Sequence, residues 1–245
     1  MGPIETHEVL GSTQTRAVDL ARSGTPDFTV VAARFQSAGV GRLDHAWSSP
    51  VGGLYCSVVA PSPAAPPSLF PLAIGAELST RLAARWGVDA RLKWPNDLLV
   101  PGGRGRARKL AGILVDRVEG PAGPRLVAGV GVNVRSRAED FPPELKPRVT
   151  TLAEILPSPP ELDAVREEVV GAVRSSVELL ASPEGTERLL ERCRRLLFGV
   201  GRPALVDGRP VGIVRSVADD GALLLADGPA EVHIYAGDLT VLEAQ

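Results

Sequence analysis

The sequence predicts an α+β fold, a mixed β-sheet packed with helices and followed by a small all-β module, from three observations. Apolar and β-branched runs of strand length alternate with helical stretches over the first two hundred residues. Within them, Lys93 to Val115 reads as a strand that turns and returns around a Gly/Arg turn, Pro101 to Arg108. Near residues 197–201 the texture changes to short β-runs with Asp-Gly turns at Asp207-Gly208, Asp220-Gly221 and Asp227-Gly228. Closely spaced strands of that kind predict a small β-barrel. The 245 residues therefore divide into a domain at 1–198 and a module at 199–245.

In order along the chain, Ser12 is an N-cap for a helix from Thr13 to Ala21, and Gly24 stops it. Thr29 to Phe35 is a buried strand. Gln36 to Pro50 is polar, carries Gly39 and Gly41, and has no periodicity, so it reads as a loop. Its apolar anchors are Val40, Leu43, Ala46 and Trp47, few to offset the entropy of ordering it, so it is expected to be mobile or poorly ordered without a ligand and to close on one. Gly52 to Ala60 resumes strand character, and Pro61 to Pro67 is a Pro/Ala/Ser loop. Ser68 to Trp86 is a helix with Leu72, Gly75, Ala76, Leu78, Leu82 and Ala83 along one side. Arg125 to Val134 is another strand, and a short helix lies near Thr151 to Ile155. Helices follow from Leu162 to Ala181 and from Pro183 to Leu197, the second ending in Arg192, Arg194 and Arg195, which suit the helix dipole.

Composition narrows the function classes. A formal net charge of −2 leaves no basic footprint for nucleic acid. There is no apolar run of roughly 18 residues and no basic-then-apolar N-terminus, so a cytoplasmic protein without a membrane span is expected. Cys56 and Cys193 are read as buried small hydrophobes, not a disulfide framework. His7, His45 and His233 have no neighbours in sequence that suggest a metal site.

Four segments carry chemistry. Lys93-Trp94-Pro95-Asn96-Asp97 places a cation, an amide and a carboxylate within five residues, and Lys109 lies on the returning strand. The chain has three lysines, Lys93, Lys109 and Lys146, among many arginines, so two in one hairpin point to sites that need a compact point charge. An ordinary solvated hairpin is the alternative. Ser12-Thr13-Gln14 sits at a helix start, where hydroxyls and N–H groups meet polar ligands; simple capping also explains it. Gly39-Val40-Gly41-Arg42 can wrap an anion, or be a plain turn. Gly129-Val130-Gly131-Val132-Asn133 lets something approach one strand face, a ligand or a packed neighbour.

Taken together these stretches resemble the biotin–protein ligases. The resemblance rests on Ser12-Thr13, Gln36-x-Ala38-Gly39-x-Gly41-Arg42, Trp47-x-Ser49-Pro50-x-Gly52-Gly53-Leu54-Tyr55-x-Ser57, Lys93 to Asp97, Lys109 to Leu114 and Gly129-x-Gly131-x-Asn133. It implies a class II synthetase-like, lipoate-ligase-like catalytic domain with an SH3-like C-terminal barrel. It also implies ATP and biotin as substrates, Mg2+, a biotinyl-5′-AMP intermediate, and a biotin carboxyl carrier protein as acceptor. The type implied is the short one without an N-terminal DNA-binding domain; homodimerisation stays open. By the same resemblance Lys109, Arg42 and Lys93 are the catalytic residues. Ser12, Thr13, Gln36, Gly41, Arg42, Ser57, Lys109, Gly112 and Gly129 would hold biotin. Gly39, Arg42, Trp47, Lys93, Asn96, Asp97, Lys109 and Asn133 would serve ATP and the adenylate, with Asp97 meeting the metal directly or through water.

Two departures from the pattern matter, one in the loop and one at the start of the first helix. Val40 stands where many members have a second arginine, Leu43-Asp44-His45 replaces a more basic run, and Gln14 replaces the usual Asn. A lipoate or octanoate ligase or transferase of the same fold, and a non-catalytic biotin-binding module, are the rival readings. The hairpin and the Trp47–Ser57 stretch favour biotin over the first, and Lys109 with Arg42 argues against the second.

Overall fold

The computed structural model describes residues 2–102 and 106–242. The middle of the expected Gly/Arg turn, residues 103–105, lies outside them. Seven strands form the main sheet: β1 (Ile4–Leu10), β2 (Thr29–Gln36), β3 (Leu54–Pro61), β4 (Arg91–Lys93), β5 (Asp97–Pro101), β6 (Ala107–Gly120) and β7 (Gly123–Val132). Their order is β1-β2-β3-β7-β6-β5-β4, with β1 parallel to β2 and every other pair antiparallel. The mixed sheet is therefore as expected. Strand β1 was not foreseen in the sequence: it is an edge strand with no fully buried residue, and its polar Glu5-Thr6-His7-Glu8 centre hides the pattern.

The central strands read as unbroken apolar runs because helices cover both sheet faces. Val30, Val58, Ala128 and Val130 face a large core beneath α2 (Leu69–Trp86) and α4 (Leu162–Leu180). On the opposite face α1 (Thr13–Arg22) sets Ala17 and Ala21 against Val31, Val59 and Val127. Helix α2 is buried nearly all round through Ser79 and ends on Gly87 in the left-handed region (φ 70°). The face expected for it holds except at Ala83, which is exposed while Leu82 beside it is fully buried. Thr151 caps the short α3 (Leu152–Ile155), and α5 (Pro183–Leu196) starts from Ser182.

The C-terminal residues form β8 (Pro203–Val206), β9 (Arg209–Val217), β10 (Leu223–Asp227), β11 (Ala230–Ile234) and β12 (Leu239–Val241). They pair antiparallel in the order β11-β10-β9-β8-β12. Asp207 and Gly208 both adopt positive φ (50° and 75°), the backbone that a tight β8–β9 hairpin requires. Among the described residues no ladder joins β11 to β12, so the strands are a five-stranded sheet and the expected barrel closure is not seen.

This sheet is packed onto the first. Trp94 is 2% exposed, and its indole Nε1 donates to the Gly221 carbonyl at 3.0 Å. Ser68 hydrogen-bonds the Asp220 carbonyl, and the Phe198 N–H donates to Leu92 O at 2.8 Å. The arginines at the end of α5 do more than complement a dipole. Arg192 pairs with buried Glu77, while Arg194 reaches Asp219 at 2.6 Å and the Val217 carbonyl at 2.9 Å, tying α5 to the second sheet.

Candidate active site

Past the N-terminal end of α1, the sheet face that α1 covers continues as Ser57, Gly129, Gly131 and Gly112, because side chains two apart on a strand share a face. Beyond the helix that face is open and floors a cavity of about 550 Å3. Its walls are the N-terminus of α1, the 37–50 loop, the β4–β5 turn and residues 237–241 of the second sheet. Of the residues expected at the site, Ser12, Thr13, Gln36, Gly41, Arg42, Trp47 and Ser57 line it, as do Lys93, Asn96, Asp97, Lys109, Gly112 and Gly129. Gly39 and Asn133 do not. Gly39 is packed behind the loop against the Trp47 carbonyl and Ser49. The Asn133 amide points away and donates to Lys109 O at 3.2 Å and Thr150 O at 3.1 Å, so it holds the backbone that carries Lys109.

One end of the cavity is neutral and buried. Ser12 caps α1 and so leaves Thr13 on the first turn facing Gln36 at the end of β2. Gln36 Oε1 accepts from the Thr13 backbone N–H at 2.8 Å and lies 3.1 Å from its hydroxyl, while Gln36 Nε2 donates to Ser49 Oγ at 2.9 Å. The Ser57 hydroxyl lies 3.0 Å from Thr13 Oγ1 and 2.9 Å from Gln14 Oε1. All five of these side chains are under 10% exposed, and buried polar groups are held in place by such mutual bonds.

The opposite end is charged. The β4–β5 turn, Trp94-Pro95-Asn96 with a cis Trp94–Pro95 peptide, brings Lys93 opposite Asp97. Asn96 pins the turn to β6, donating from Nδ2 to Ile113 O at 2.8 Å and accepting the Ile113 N–H on its backbone oxygen at 2.9 Å. A register shift at Leu98/Leu99 sets Lys109 beside Asp97, Nζ to Oδ1 2.7 Å. Lys93 Nζ is 4.0 Å from the other Asp97 oxygen and 3.4 Å from Asp238 Oδ1 of the second sheet. Arg42, opening a short 3-10 turn in the loop, reaches to 3.5 Å from Asn96 Oδ1. Two lysines thus flank Asp97 and Arg42 stands at the neighbouring Asn96, an arrangement suited to anions heavier in charge than Asp97 itself.

The loop lies over this cavity as an irregular hairpin, bridged at Val40 and Ala46 and closed by the Trp47 N–H to Gly39 O at 2.9 Å. Trp47 places its indole on the strand backbone at Gly112 and Gly131, with Lys109 Nζ 4.9 Å from the ring centroid. A Cβ on either glycine would come to 2.6 Å or 2.5 Å from the ring, so the alternating glycines serve an aromatic side chain of the protein itself. Tyr55 holds the loop's far end: its hydroxyl donates to Pro50 O at 2.6 Å, and burial pushes its pKa up, which keeps that donor protonated.

A family model described as the Biotin/lipoate A/B protein ligase family matches residues 7–133, which contain both ends of this cavity. The chain belongs to that family. The biotin–[acetyl-CoA-carboxylase] ligase of Mycobacterium tuberculosis is 31% identical over 242 residues, covering 95% of this chain and 86% of that protein. The bifunctional ligase/repressor BirA of Bacillus subtilis is 29% identical over 241 residues, 95% of this chain and 72% of that one. A solved biotin protein ligase from Aquifex aeolicus, in complex with biotin and ATP, aligns over 100% of both chains with a TM-score of 0.81 and 24% identity, a likeness of fold.

Against that family background, Asp116 and Asp238 went unnoticed in the sequence, and Ser49 and Tyr55 stood in the matching stretch with no role assigned to them. Asp116 and Asp238 meet Gln14 and Lys93 only through long-range pairing, whereas Ser49 bonds Gln36 and Tyr55 bonds the nearby Pro50 carbonyl. As to a metal, among the described residues no three His, Cys, Asp or Glu side chains gather to hold one. Asp97, with Asp238 nearby, suits a divalent cation that arrives on the phosphates of a nucleotide and keeps most of its waters. Among the described residues no helix is long and apolar enough to cross a membrane.

Proposed function

We propose that this protein is a biotin–protein ligase, which joins biotin to ATP as biotinyl-5′-AMP and then passes the biotinyl group to a lysine of a carrier protein. One observation carries the reading: a single cavity joins a buried, neutral hydrogen-bonding end to a cluster of Lys93, Lys109 and Arg42, with Lys109 standing between them. Biotin has the matching shape, a neutral ureido head and a carboxylate tail.

In the first step a biotin carboxylate oxygen attacks the α-phosphorus of Mg·ATP and pyrophosphate leaves. The carboxylate is already ionised, so no base is needed; the difficulty is the approach of two anions, which positioned cations relieve. Lys109 bridges the carboxylate and the α-phosphate once they displace Asp97, Lys93 takes the phosphates, and Arg42 holds the adenylate from the loop. Asp97, released from Lys109, is then the carboxylate free to meet the metal of Mg·ATP. Thr13, Gln36 and Ser57 hold the head, and Ser12 and Gln14 frame it. In the second step a carrier lysine amine attacks the acyl carbon, AMP leaves, and the amine loses its proton to solvent. Until then the loop shields the mixed anhydride from water. The carrier is a biotin carboxyl carrier domain of a carboxylase, and the setting is the cytoplasm. We place the boundary between catalytic domain and C-terminal module at residues 198 and 199.

Pyrophosphate exchange tests the substrate. With Mg·ATP, biotin should support exchange and yield an acyl-adenylate visible by mass, and lipoate should not. Exchange with lipoate and none with biotin would assign the protein to the lipoate branch of its family instead.

A further inference from the structure

We infer that Gln14, oriented by Asp116, fixes the hydrogen-bond polarity of the neutral end and so selects a head group that donates N–H over one that has none. The inference rests on the biotin reading above and asks what makes the site choose a ureido ring over a dithiolane.

Gln14 Nε2 lies 2.8 Å from Asp116 Oδ2 and 3.0 Å from the Val127 carbonyl. A carboxylate and a carbonyl only accept, so both hydrogens of the Gln14 amide are committed to them. Its Oε1 therefore has to face Ser57, at 2.9 Å, and can only accept there. Gly129 leaves room for that oxygen, which any Cβ at this position would strike. The consequence follows from counting protons. Thr13 and Ser57 bring two hydroxyl hydrogens, and three contacts claim them: Thr13 to Gln36 Oε1, Ser57 to Thr13, and Ser57 to Gln14. None is left for the cavity, so the two hydroxyls meet a ligand with lone pairs alone. They suit the N–H of a urea or amide. A dithiolane offers them no donor, and entering would leave buried acceptors unpaired, the kind of mismatch that discriminates most strongly.

Were Gln14 turned over, its NH2 would donate to Ser57, one hydroxyl hydrogen would be freed toward the cavity, and an incoming N–H would be repelled. Asp116 sits 102 residues from Gln14 in sequence and does not line the cavity, so it is a positioning residue acting through Gln14.

The test measures direct binding, without ATP, of biotin and of biotin methylated on one or the other ureido nitrogen. Wild-type protein should prefer biotin to one of the two isomers by on the order of a hundredfold or more. Asp116→Asn has the same shape but can donate to Gln14 and turn it, so that preference should narrow by roughly tenfold, the scale of one lost buried hydrogen bond. Gln14→Met, which removes the amide at similar length, should narrow it likewise, and Asp116→Glu should restore it. A purely structural role would weaken both ligands alike. Unchanged preference in Asp116→Asn and Gln14→Met, with thermal midpoints near wild type, would overturn the inference. Wild-type protein that binds lipoate and not biotin would overturn the biotin reading itself.

Discussion

The two ends of the cavity are built on different physical terms. At the neutral end Thr13, Gln14, Gln36, Ser49 and Ser57 are all under 10% exposed and bond one another at 2.8–3.1 Å. At the other end Asp97 and Lys109 have side chains 14% and 31% exposed, and their ion pairs run from 2.7 to 4.0 Å. The first is a fixed mould whose atoms have nowhere else to go. The second is a set of exchangeable partners in contact with water, where a substrate anion can take the place of a protein carboxylate. Recognition is thus assigned to rigid neutral groups, and chemistry to charges that must change partners.

The largest effect should come from the charged end. Lys109→Ala should slow adenylation by at least ~10²–10³, since it removes the cation that meets both anions in the transition state. Lys109→Arg should recover little, because a planar fork does not fit a point-charge site between Asp97 and the Trp47 ring. Formation of biotinyl-AMP by Lys109→Ala at the native rate would take Lys109 out of the mechanism.

A smaller and qualitatively different loss should follow at the neutral end. Ser57→Ala leaves Gln14 Oε1 without its donor and should weaken biotin binding by roughly tenfold, with turnover at saturating biotin nearly intact. The contrast sharpens with salt. Raising ionic strength from about 0.05 to 0.5 M should leave the biotin affinity nearly constant and raise the KM for ATP, because only exposed charges are screened. Equal salt dependence for both substrates would erase the distinction between the ends.

The smallest effect on activity, though not on stability at high pH, concerns the core behind the neutral end, where Cys56 is the neighbour of Ser57. Burial pushes the Cys56 and Cys193 thiols up to about 12. Their folded pKa lies above the unfolded one, so the unfolded chain loses protons first as pH rises. Stability should be level below pH 9 and decline toward pH 12, by at most ~1.4 kcal/mol per pH unit for each thiol. Denaturant titrations of the double variant Cys56→Ala, Cys193→Ala should show a flatter decline. An identical slope would mean the thiols are not what titrates.

Legibility in the sequence followed the same physical divide. The charged end was readable because its residues are close in sequence and chemically distinctive: Lys93 to Asp97 is one turn, and Lys109 lies on the next strand. Ser12, Thr13, Gln36 and Ser57 were readable through the family resemblance, since each alone is an ordinary cap or strand residue. Asp116 and Asp238 were not, because an aspartate on a strand or in a turn looks like a solvated charge until a partner more than a hundred residues away is in place. Strand β1 escaped for want of a buried face. The glycines at 112, 129 and 131 were rightly singled out for close approach, but what approaches is Trp47 and Gln14. The polar run of loop 37–50 gave no sign that it lies bridged at Val40 and Ala46.

The seating of Trp47 sets a threshold for every molecule that uses the floor of this cavity. Its indole already occupies the bare backbone at Gly112 and Gly131, so a ligand spreading over those glycines has to evict a resident aromatic and take over its contacts. Measured affinity is then a difference between two occupants and not the worth of one. The resident is itself imperfectly housed, for its Nε1–H is buried with no acceptor among the described residues, a vacancy worth about 1–3 kcal/mol against staying. Such a placeholder keeps weak or ill-shaped molecules out, and yields to one that fills the floor and gives the displaced indole a better surface to cover.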